Sequence, residues 1–127
     1  MVTDPISDLL IRLQNASRVG HVSVSLPYSQ MKHSIAQILH KEGYVGDVSK
    51  KQYALTITLK YDASGSPVIT GTKRISKPSR RMYMGVRDVK PVKRGHGLLL
   101  LSTPGGIMTG KEAQQKRVGG EALFEIW

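Results

Sequence analysis

The sequence is organised around the stretch Ser102-Thr103-Pro104-Gly105-Gly106-Ile107-Met108-Thr109, which continues to Val118-Gly119-Gly120-Glu121. Its two hydroxyl residues directly follow the apolar run Leu98-Leu99-Leu100-Leu101, and its two Gly-Gly pairs bracket a short polar segment. A strand that ends in hydroxyls beside glycines offers donors, acceptors and bare backbone, and glycine lets another backbone come close. The pattern favours an edge that binds phosphate and ribose oxygens. Two tight turns around a short helix are the alternative interpretation.

The residues on either side of these glycines predict a strand, a short helix and a final strand. The apolar run before Ser102 is expected to be a buried strand. Thr109 with Glu112 three residues later forms a capping box, which predicts a helix over residues 110–117. Residues 121–127 place Ala122, Phe124 and Ile126 on one face and Leu123, Glu125 and Trp127 on the other, so the chain is expected to finish as a strand.

Residues 73–94 carry the strongest charge signal in the chain. Nine of these 22 residues are Lys or Arg, and Asp88 is the one acid among them. Such cations neutralise phosphates and release counterions, and the ring of Tyr83 in their midst can stack on an exposed base. The alternatives are a solvated basic face without a specific partner and, for Tyr83, a half-buried position in a sheet. The nine cations are Lys73, Arg74, Lys77, Arg80, Arg81, Arg87, Lys90, Lys93 and Arg94.

Composition indicates a small protein with an anionic partner. The 127 residues carry a net charge of +10. Residues 1–66 hold 7 Lys/Arg against 5 Asp/Glu, whereas residues 67–127 hold 12 against 4, so the surplus lies in the second half. The absence of cysteine excludes disulfides and thiolate metal sites. No apolar run approaches the roughly 20 residues that cross a bilayer, and no secretory signal is evident, so a cytoplasmic protein is expected.

The first half predicts two helices packed on a small sheet. Asp4-Pro5 begins a helix and Ser29 caps a second one that Gly43 ends. Strands are expected at residues 22–26, from Tyr44-Val45 onward and at residues 53–61, with a turn at Lys50-Lys51.

The segment 63–66 predicts a linker between two subdomains, residues 1–62 and residues 67–127. It is rich in turn formers and separates the nearly neutral half from the basic half. Beyond it, strands are expected at residues 68–75 and 81–86, followed by an exposed loop over residues 87–97. The fold class is therefore α+β, with an N-terminal unit of two helices and three strands and a mainly β C-terminal unit with one short helix.

The chain offers little chemistry for catalysis, metals or cofactors. Its four histidines, His21, His33, His40 and His96, lack a second ligand at metal-binding spacing. The sequence around Ser102 has no nucleophile-elbow pattern. Gly95-His96-Gly97 matches neither phosphate-loop pattern. We expect no enzyme, no metal, no cofactor and no small-molecule substrate.

Several segments in one order make the chain resemble the bacterial form of the eighth protein of the small ribosomal subunit. The resemblance covers nearly the whole length. The segments are Thr3-Asp4-Pro5-Ile6 with Asn15-Ala16, Leu26-Pro27-Tyr28-Ser29, Ile38-Leu39, Glu42-Gly43-Tyr44, Ile75-Ser76-Lys77-Pro78 with Tyr83, Ser102-Thr103 through Gly106 to Met108-Thr109, and Val118-Gly119-Gly120-Glu121 with Trp127.

The resemblance implies a two-part α+β protein that binds a helix of small-subunit ribosomal RNA early in assembly of the central region of the subunit. It also implies neighbouring small-subunit ribosomal proteins as partners, a place on the cytoplasmic ribosome and, in some bacteria, repression of the protein's own operon through its messenger RNA. The C-terminal part of the family supplies most RNA contacts. By matching position these are Ser102, Thr103, Gly105, Gly106, Tyr83, Gly119, Gly120 and Glu121, to which the basic segment adds Arg74, Lys77, Arg80 and Arg81.

This sequence departs from the family pattern at two places. The family usually has Ser and then a basic or small residue after the Ser-Thr pair, where this chain has Pro104 and Gly105. Proline also removes a backbone donor. After Ser76-Lys77-Pro78 the family usually has Gly, where this chain has Ser79. One hydroxyl contact and the shape of one loop are therefore expected to differ.

The mechanism expected is non-catalytic. Cations of the second half fix the protein on phosphates, while Ser102, Thr103 and glycine backbone contact the 2′-hydroxyls of an irregular minor groove, because the A-form major groove is too narrow for side chains. Two other classes remain open: a general DNA-binding or architectural basic protein, and an enzyme acting on nucleic acid.

Overall fold

The computed structural model describes residues 4–90 and 97–127. These residues pack into two compact units, residues 4–70 and residues 71–127. The sequence predicts a linker at residues 63–66, whereas in the structure residues 67–70 pack with the first unit. No helix in the described ranges is long and apolar enough to cross a membrane.

The first unit consists of two helices on one three-stranded sheet. Asp4 caps the first helix by accepting a hydrogen bond from the Ser7 N–H at 3.3 Å, and Ser29 caps the second from the Lys32 N–H at 3.2 Å. Both caps follow the sequence prediction. The elements are α1 Pro5–Arg18, β1 Ser23–Pro27, α2 Gln30–Lys41, β2 Val48–Lys51 and β3 Ala54–Thr58.

The sheet of the first unit is antiparallel, with the strand order β1-β3-β2. Its central strand alternates strictly: Leu55 and Ile57 are buried, whereas Thr56 and Thr58 are only partly covered. Leu26 lies opposite Leu55 and is also buried. The apolar side of this sheet faces the buried stripes of α1 and α2, which together form the core of the unit.

The turn between β2 and β3 lies two residues later than the sequence predicts. Lys50 and Lys51 belong to β2, and Lys51 pairs with Ala54 across a two-residue turn. Gln52 takes a φ of 56°, the left-handed conformation that such a turn requires. Tyr53 is therefore not a strand residue, and its side chain is 90% exposed. The start of the strand predicted from Tyr44-Val45 onward is also wrong, because β2 begins only at Val48.

The loop after residue 61 is held by one carboxylate. Asp62 Oδ1 accepts hydrogen bonds from the Ser64 hydroxyl at 2.7 Å and from the Ser66 N–H at 2.9 Å. These bonds lower the pKa of Asp62 below its ordinary value, and the bond from the Ser64 side chain has the largest effect.

The second unit is a five-stranded antiparallel sheet with one short helix on one face. Strand β8 is central: β6 pairs with one of its edges, while β5 and β4 share the other. Strand β7 pairs with β6 at the rim. The elements are β4 Thr72–Arg74, β5 Tyr83–Met84, the 3-10 helix Val86–Asp88, β6 Leu98–Thr103, β7 Gly106–Thr109, α3 Gly110–Gln115 and β8 Gly120–Ile126.

Helix α3 begins with the predicted Thr109 cap, although the Glu112 side chain bonds the threonine hydroxyl rather than the Thr109 backbone N–H of a full capping box. Thr109 Oγ1 accepts from the Glu112 N–H at 3.1 Å and donates to Glu112 Oε1 at 3.2 Å. A Cβ added at Gly110 would lie 2.9 Å from Val89 Cγ1, so the helix starts in close contact with its neighbours. The core below α3 contains Val89, Leu99, Leu101, Met108, Ala113 and Ala122.

Several predicted bounds in the second unit are wrong. The strand expected at residues 68–75 covers only Thr72–Arg74, and that expected at residues 81–86 covers only Tyr83–Met84. The helix is two residues shorter than predicted. Strand β7 was not predicted at all, because the Gly105-Gly106 pair indicates a turn. The loop predicted over residues 87–97 falls largely on residues 91–96, which lie outside the described residues, as do Lys93, Arg94 and His96.

Candidate nucleic-acid interface

One row of side chains crosses the second sheet where β8 begins. Glu121 lies opposite Ser102 of β6 and opposite Tyr83 of β5. Their sequence neighbours Leu101, Met84 and Ala122 all pack in or against the core below α3. Since successive side chains of a strand point to opposite faces, the row lies on the face away from α3. The fold thus brings together three residues that are far apart in the sequence.

Glu121 is the only acid in this row and forms an ion pair with a cation beside it. Arg81 Nη1 lies 3.0 Å from Glu121 Oε2. The glutamate side chain is 16% exposed, whereas the arginine side chain is 52% exposed. The surface therefore presents the guanidinium more than the carboxylate. The ring of Tyr83 is 73% exposed in the same row, and the Ser102 side chain is partly exposed.

The two predicted hydroxyl residues face opposite ways. Thr103 lies on the α3 side, since it follows Ser102 in the same strand, and it is buried. Its Oγ1 donates to the Gly106 carbonyl at 2.8 Å and accepts from the Gly105 N–H at 3.2 Å. The threonine thus holds the turn closed. Pro104 and Gly105 form the exposed tip of this turn, and Gly106 takes a φ of 114°.

Gly119 and Gly120 serve contacts within the sheet. A Cβ at Gly120 would lie 2.2 Å from the Ser102 carbonyl oxygen, and one at Gly119 would lie 2.5 Å from the Met84 carbonyl oxygen. Both distances are shorter than any real contact, so β5 and β6 approach the start of β8 only because side chains are missing there. The sequence indicated close backbone approach, and the neighbouring strands supply that approach.

A basic loop connects β4 to β5. Lys77 and Arg80 exchange backbone hydrogen bonds of 2.8 and 2.9 Å, which places Pro78 and Ser79 at the tip of a tight hairpin. At its base, the buried hydroxyl of Ser76 accepts from the Met82 N–H at 2.7 Å and donates to the Met82 carbonyl at 3.1 Å. The loop that carries these cations is therefore fixed at both ends.

Cations of β4 and the basic loop line a groove on the α3 side of the sheet. The groove has a volume of about 470 Å³. Ile75 and Met84 line it and also pack against the core below α3, which fixes its side of the sheet. Arg74 donates from Nη1 to the Leu123 carbonyl. The predicted RNA-binding cations are therefore divided: Arg81 lies by the row, whereas Lys77 and Arg80 line this groove together with Lys73 and Glu125. Arg74 borders the groove as well, but it lies opposite Phe124, between Lys73 and Ile75, and so belongs to the other face of the sheet.

We call Tyr83, Arg81, Glu121, Ser102 and the turn Pro104–Gly106 the strand-end surface. The sequence had indicated each of these residues except Pro104 individually, but not Ile107, which lies opposite Ser102 on β7. It also missed the support that Ser76 gives to the basic loop. The one available signal was a serine directly before a basic loop. Among the described residues, no group of three or more His, Asp or Glu side chains is arranged to hold a metal ion.

Comparison with known proteins gives a consistent result over the full length. A family model described as "Ribosomal protein S8" matches residues 4–127. A Nitratidesulfovibrio vulgaris (strain DP4) protein is 49% identical over 127 residues, which is 100% of both chains. A Roseiflexus castenholzii protein is 49% identical over 130 residues, covering 99% of this chain and 98% of its own. One from Exiguobacterium sp. is 48% identical over 131 residues, covering 100% and 99%. All three are named "Small ribosomal subunit protein uS8".

Proposed function

This chain belongs to the ribosomal protein S8 family, and on that premise we propose that it binds small-subunit ribosomal RNA through its strand-end surface. Membership makes it a structural constituent of the small ribosomal subunit. Its partners are ribosomal RNA and neighbouring ribosomal proteins. Binding is non-catalytic, and it contributes to assembly of the central region of the subunit.

The observation that carries this proposal is the row Tyr83–Glu121–Ser102 with Arg81 beside it. The row places an exposed ring, a hydroxyl and a guanidinium within one cross-strand line. A ring can stack on an unpaired base, and a hydroxyl can bond a ribose 2′-OH. The guanidinium can contact a phosphate oxygen. Irregular RNA offers all three groups together, whereas a regular DNA duplex lacks the 2′-OH and keeps its bases stacked.

Glu121 has a positioning role in this proposal. Its carboxylate is mostly covered and faces Arg81 at 3.0 Å, so it orients the guanidinium toward the partner. The remaining oxygen lone pairs can accept from a ribose hydroxyl at the rim of the row. An acid at this place is therefore compatible with an anionic partner.

Lys77 and Arg80 on the basic loop contribute attraction rather than discrimination. Contacts to phosphates fix a protein on RNA without reading its sequence. Because Ser76 anchors the loop at its base, these cations are presented by a fixed backbone. We expect them to determine the salt dependence of binding.

The test is binding of the full-length protein to a fragment of small-subunit ribosomal RNA that carries the internal-loop helix expected for this family. A scrambled hairpin and a DNA duplex of equal length compete at two salt concentrations. We expect preference for the native fragment at both. Ser102→Ala and Arg81→Gln should each weaken binding about tenfold, the effect of losing one good hydrogen bond or charge-assisted contact. Lys116→Gln removes the same charge from the C-cap of α3, on the other side of the sheet, and should leave the preference unchanged.

Equal binding to all three nucleic acids, lost steeply with salt, would replace the proposal by a general basic DNA-binding or architectural protein. Cleavage of the RNA in the presence of magnesium would instead reveal an enzyme. A fragment of the protein's own operon messenger belongs in the same assay. If the protein binds this messenger, and Ser102→Ala weakens that binding by the same factor as binding to the ribosomal fragment, the proposal extends to repression of that operon.

A further inference from the structure

The first unit leaves one face of its sheet without a helix, and that face carries hydroxyls. Both helices lie on the side of Leu26, Leu55 and Ile57, so the residues between them point away. None of these hydroxyls takes part in a side-chain hydrogen bond within residues 4–90 and 97–127. We call this set the hydroxyl face: Ser23, Ser25, Ser49, Thr56 and Thr58.

A basic, aromatic hairpin tip closes one end of the hydroxyl face. Lys51 shares the face, because it lies two residues after Ser49 in β2. Tyr53 follows in the turn, and its ring is 90% exposed. Its backbone is nevertheless fixed, since the Tyr53 carbonyl accepts from the Tyr28 N–H at 2.8 Å. An exposed ring on a fixed backbone can stack at little cost in conformational freedom.

A second lysine is held at the same tip. Lys50 Nζ lies 4.1 Å above the centre of the Tyr28 ring, and that ring makes a T-shaped contact with the His33 ring at a centroid distance of 5.6 Å. The cation–π contact keeps the ammonium at the tip. Residues 48–60 contain three lysines and no acid, so the modest surplus of the first half is concentrated here. The nearest acid along the chain, Asp47, precedes β2 at the far end of the strand.

We infer that the hairpin tip and the hydroxyl face form a second RNA-binding surface, distinct from the strand-end surface. Tyr53 stacks on an unpaired base, Lys50 and Lys51 contact phosphates, and the hydroxyls bond phosphate and ribose oxygens. The positive charge indicates which partner binds to this surface, since a lysine-rich tip without acids complements a polyanion. The inference rests on the proposed function in that the partner is ribosomal RNA, but it uses none of the same residues.

The first experiment separates the two surfaces by the length of the RNA. Full-length protein is titrated with the internal-loop fragment and with complete small-subunit ribosomal RNA. Tyr53→Ala should weaken binding to the complete RNA about tenfold, the effect of losing one stacked base, and leave the short fragment unaffected. Tyr53→Phe keeps the ring and should restore binding. Replacing Lys50 and Lys51 by Gln should reduce the number of counterions released on binding by about one to two. That number is measured from the slope of the binding constant against salt concentration. Lys41→Gln, an exposed lysine of the same unit, is the charge control.

A second experiment identifies the partner directly. The photo-crosslinker p-benzoylphenylalanine replaces Tyr53 in full-length protein, which is then assembled into small subunits and irradiated. We expect a crosslink to ribosomal RNA. A crosslink to protein alone, or none, overturns the inference, as does wild-type binding of Tyr53→Ala to the complete RNA. If the inference fails in this way but Ser102→Ala still weakens binding to the short fragment, the proposed function stands without this surface. If the wild-type protein shows no preference for the short fragment, the proposed function fails instead.

Discussion

The two sheets of the molecule bury their strands differently. In β3 of the first unit, buried and partly covered residues alternate along the whole strand. In the second unit, β6 is buried over Leu99 to Leu101 and β8 over Ala122 to Phe124, without alternation. Alternation leaves a complete face available, whereas burial on both sides leaves polar groups only where a strand begins or ends. This difference explains why the candidate RNA contacts form a broad face in one unit and a narrow row in the other.

The alternation in β3 can be tested with two adjacent substitutions. Leu55 is fully buried, so Leu55→Ala should lower the free energy of unfolding by about 4 kcal/mol. Thr56→Ala, one residue on and facing the other way, should lower it by less than about 1 kcal/mol. Urea denaturation of both variants measures the contrast. Similar losses would mean that the hydroxyl face is as important to stability as the core face.

The row in the second sheet depends on a residue without a side chain. Gly120→Ala would place a Cβ 2.2 Å from the Ser102 carbonyl oxygen and force β6 and β8 apart. We expect a loss of about 3 kcal/mol in the free energy of unfolding, at the upper end for overpacking. Gly105→Ala is the matched control: the nearest atom to its Cβ would be 3.7 Å away, so its effect should stay within about 0.5 kcal/mol. If both variants unfold alike, the close approach of the strands does not require Gly120.

The smallest effect expected is a pH dependence in the loop of Asp62. Its pKa is lowered from an ordinary value of 3.8, so its contribution is present above that pH. The contribution is lost as the pH falls through the lower pKa of the folded state. The stability difference between wild type and Asp62→Ala should therefore be constant above about pH 5 and shrink below pH 4. Ser64→Ala removes the largest cause of the shift and should reduce the same difference. If the stability difference between wild type and Asp62→Ala instead increased as the pH fell, the predicted direction would be wrong.

Local signals in the sequence predicted the helices well. The caps at Asp4, Ser29 and Thr109 each involve residues within four positions, and all three are confirmed. The α+β class and the content of both units are confirmed as well. Strand bounds were less accurate, since strands are completed by distant partners. The two residues of β5, for example, form a strand only because β8 lies beside them.

Locating the candidate site requires the register in which the strands pair, and the sequence alone does not show that register. Motifs and the resemblance indicated Tyr83, Ser102 and Glu121 individually, but only pairing with β8 shows that they form one row. Likewise, the Ser102-Thr103 pair reads as two hydroxyls at one edge. In the structure a strand of period two sends them to opposite faces, and the Thr103 hydroxyl is occupied within its own turn. Neighbouring residues of like chemistry in a strand are therefore weak indicators of a shared site.

The Ser76 hydroxyl that holds Met82 at both its N–H and its carbonyl has a consequence for the rate of association. A flexible basic loop would lose conformational entropy each time it met RNA, whereas this loop loses it once, when the protein folds. Encounter with a polyanion then requires orientation of the whole protein but no search by the loop. Association through this loop is therefore expected to be limited by electrostatically steered diffusion rather than by a conformational step.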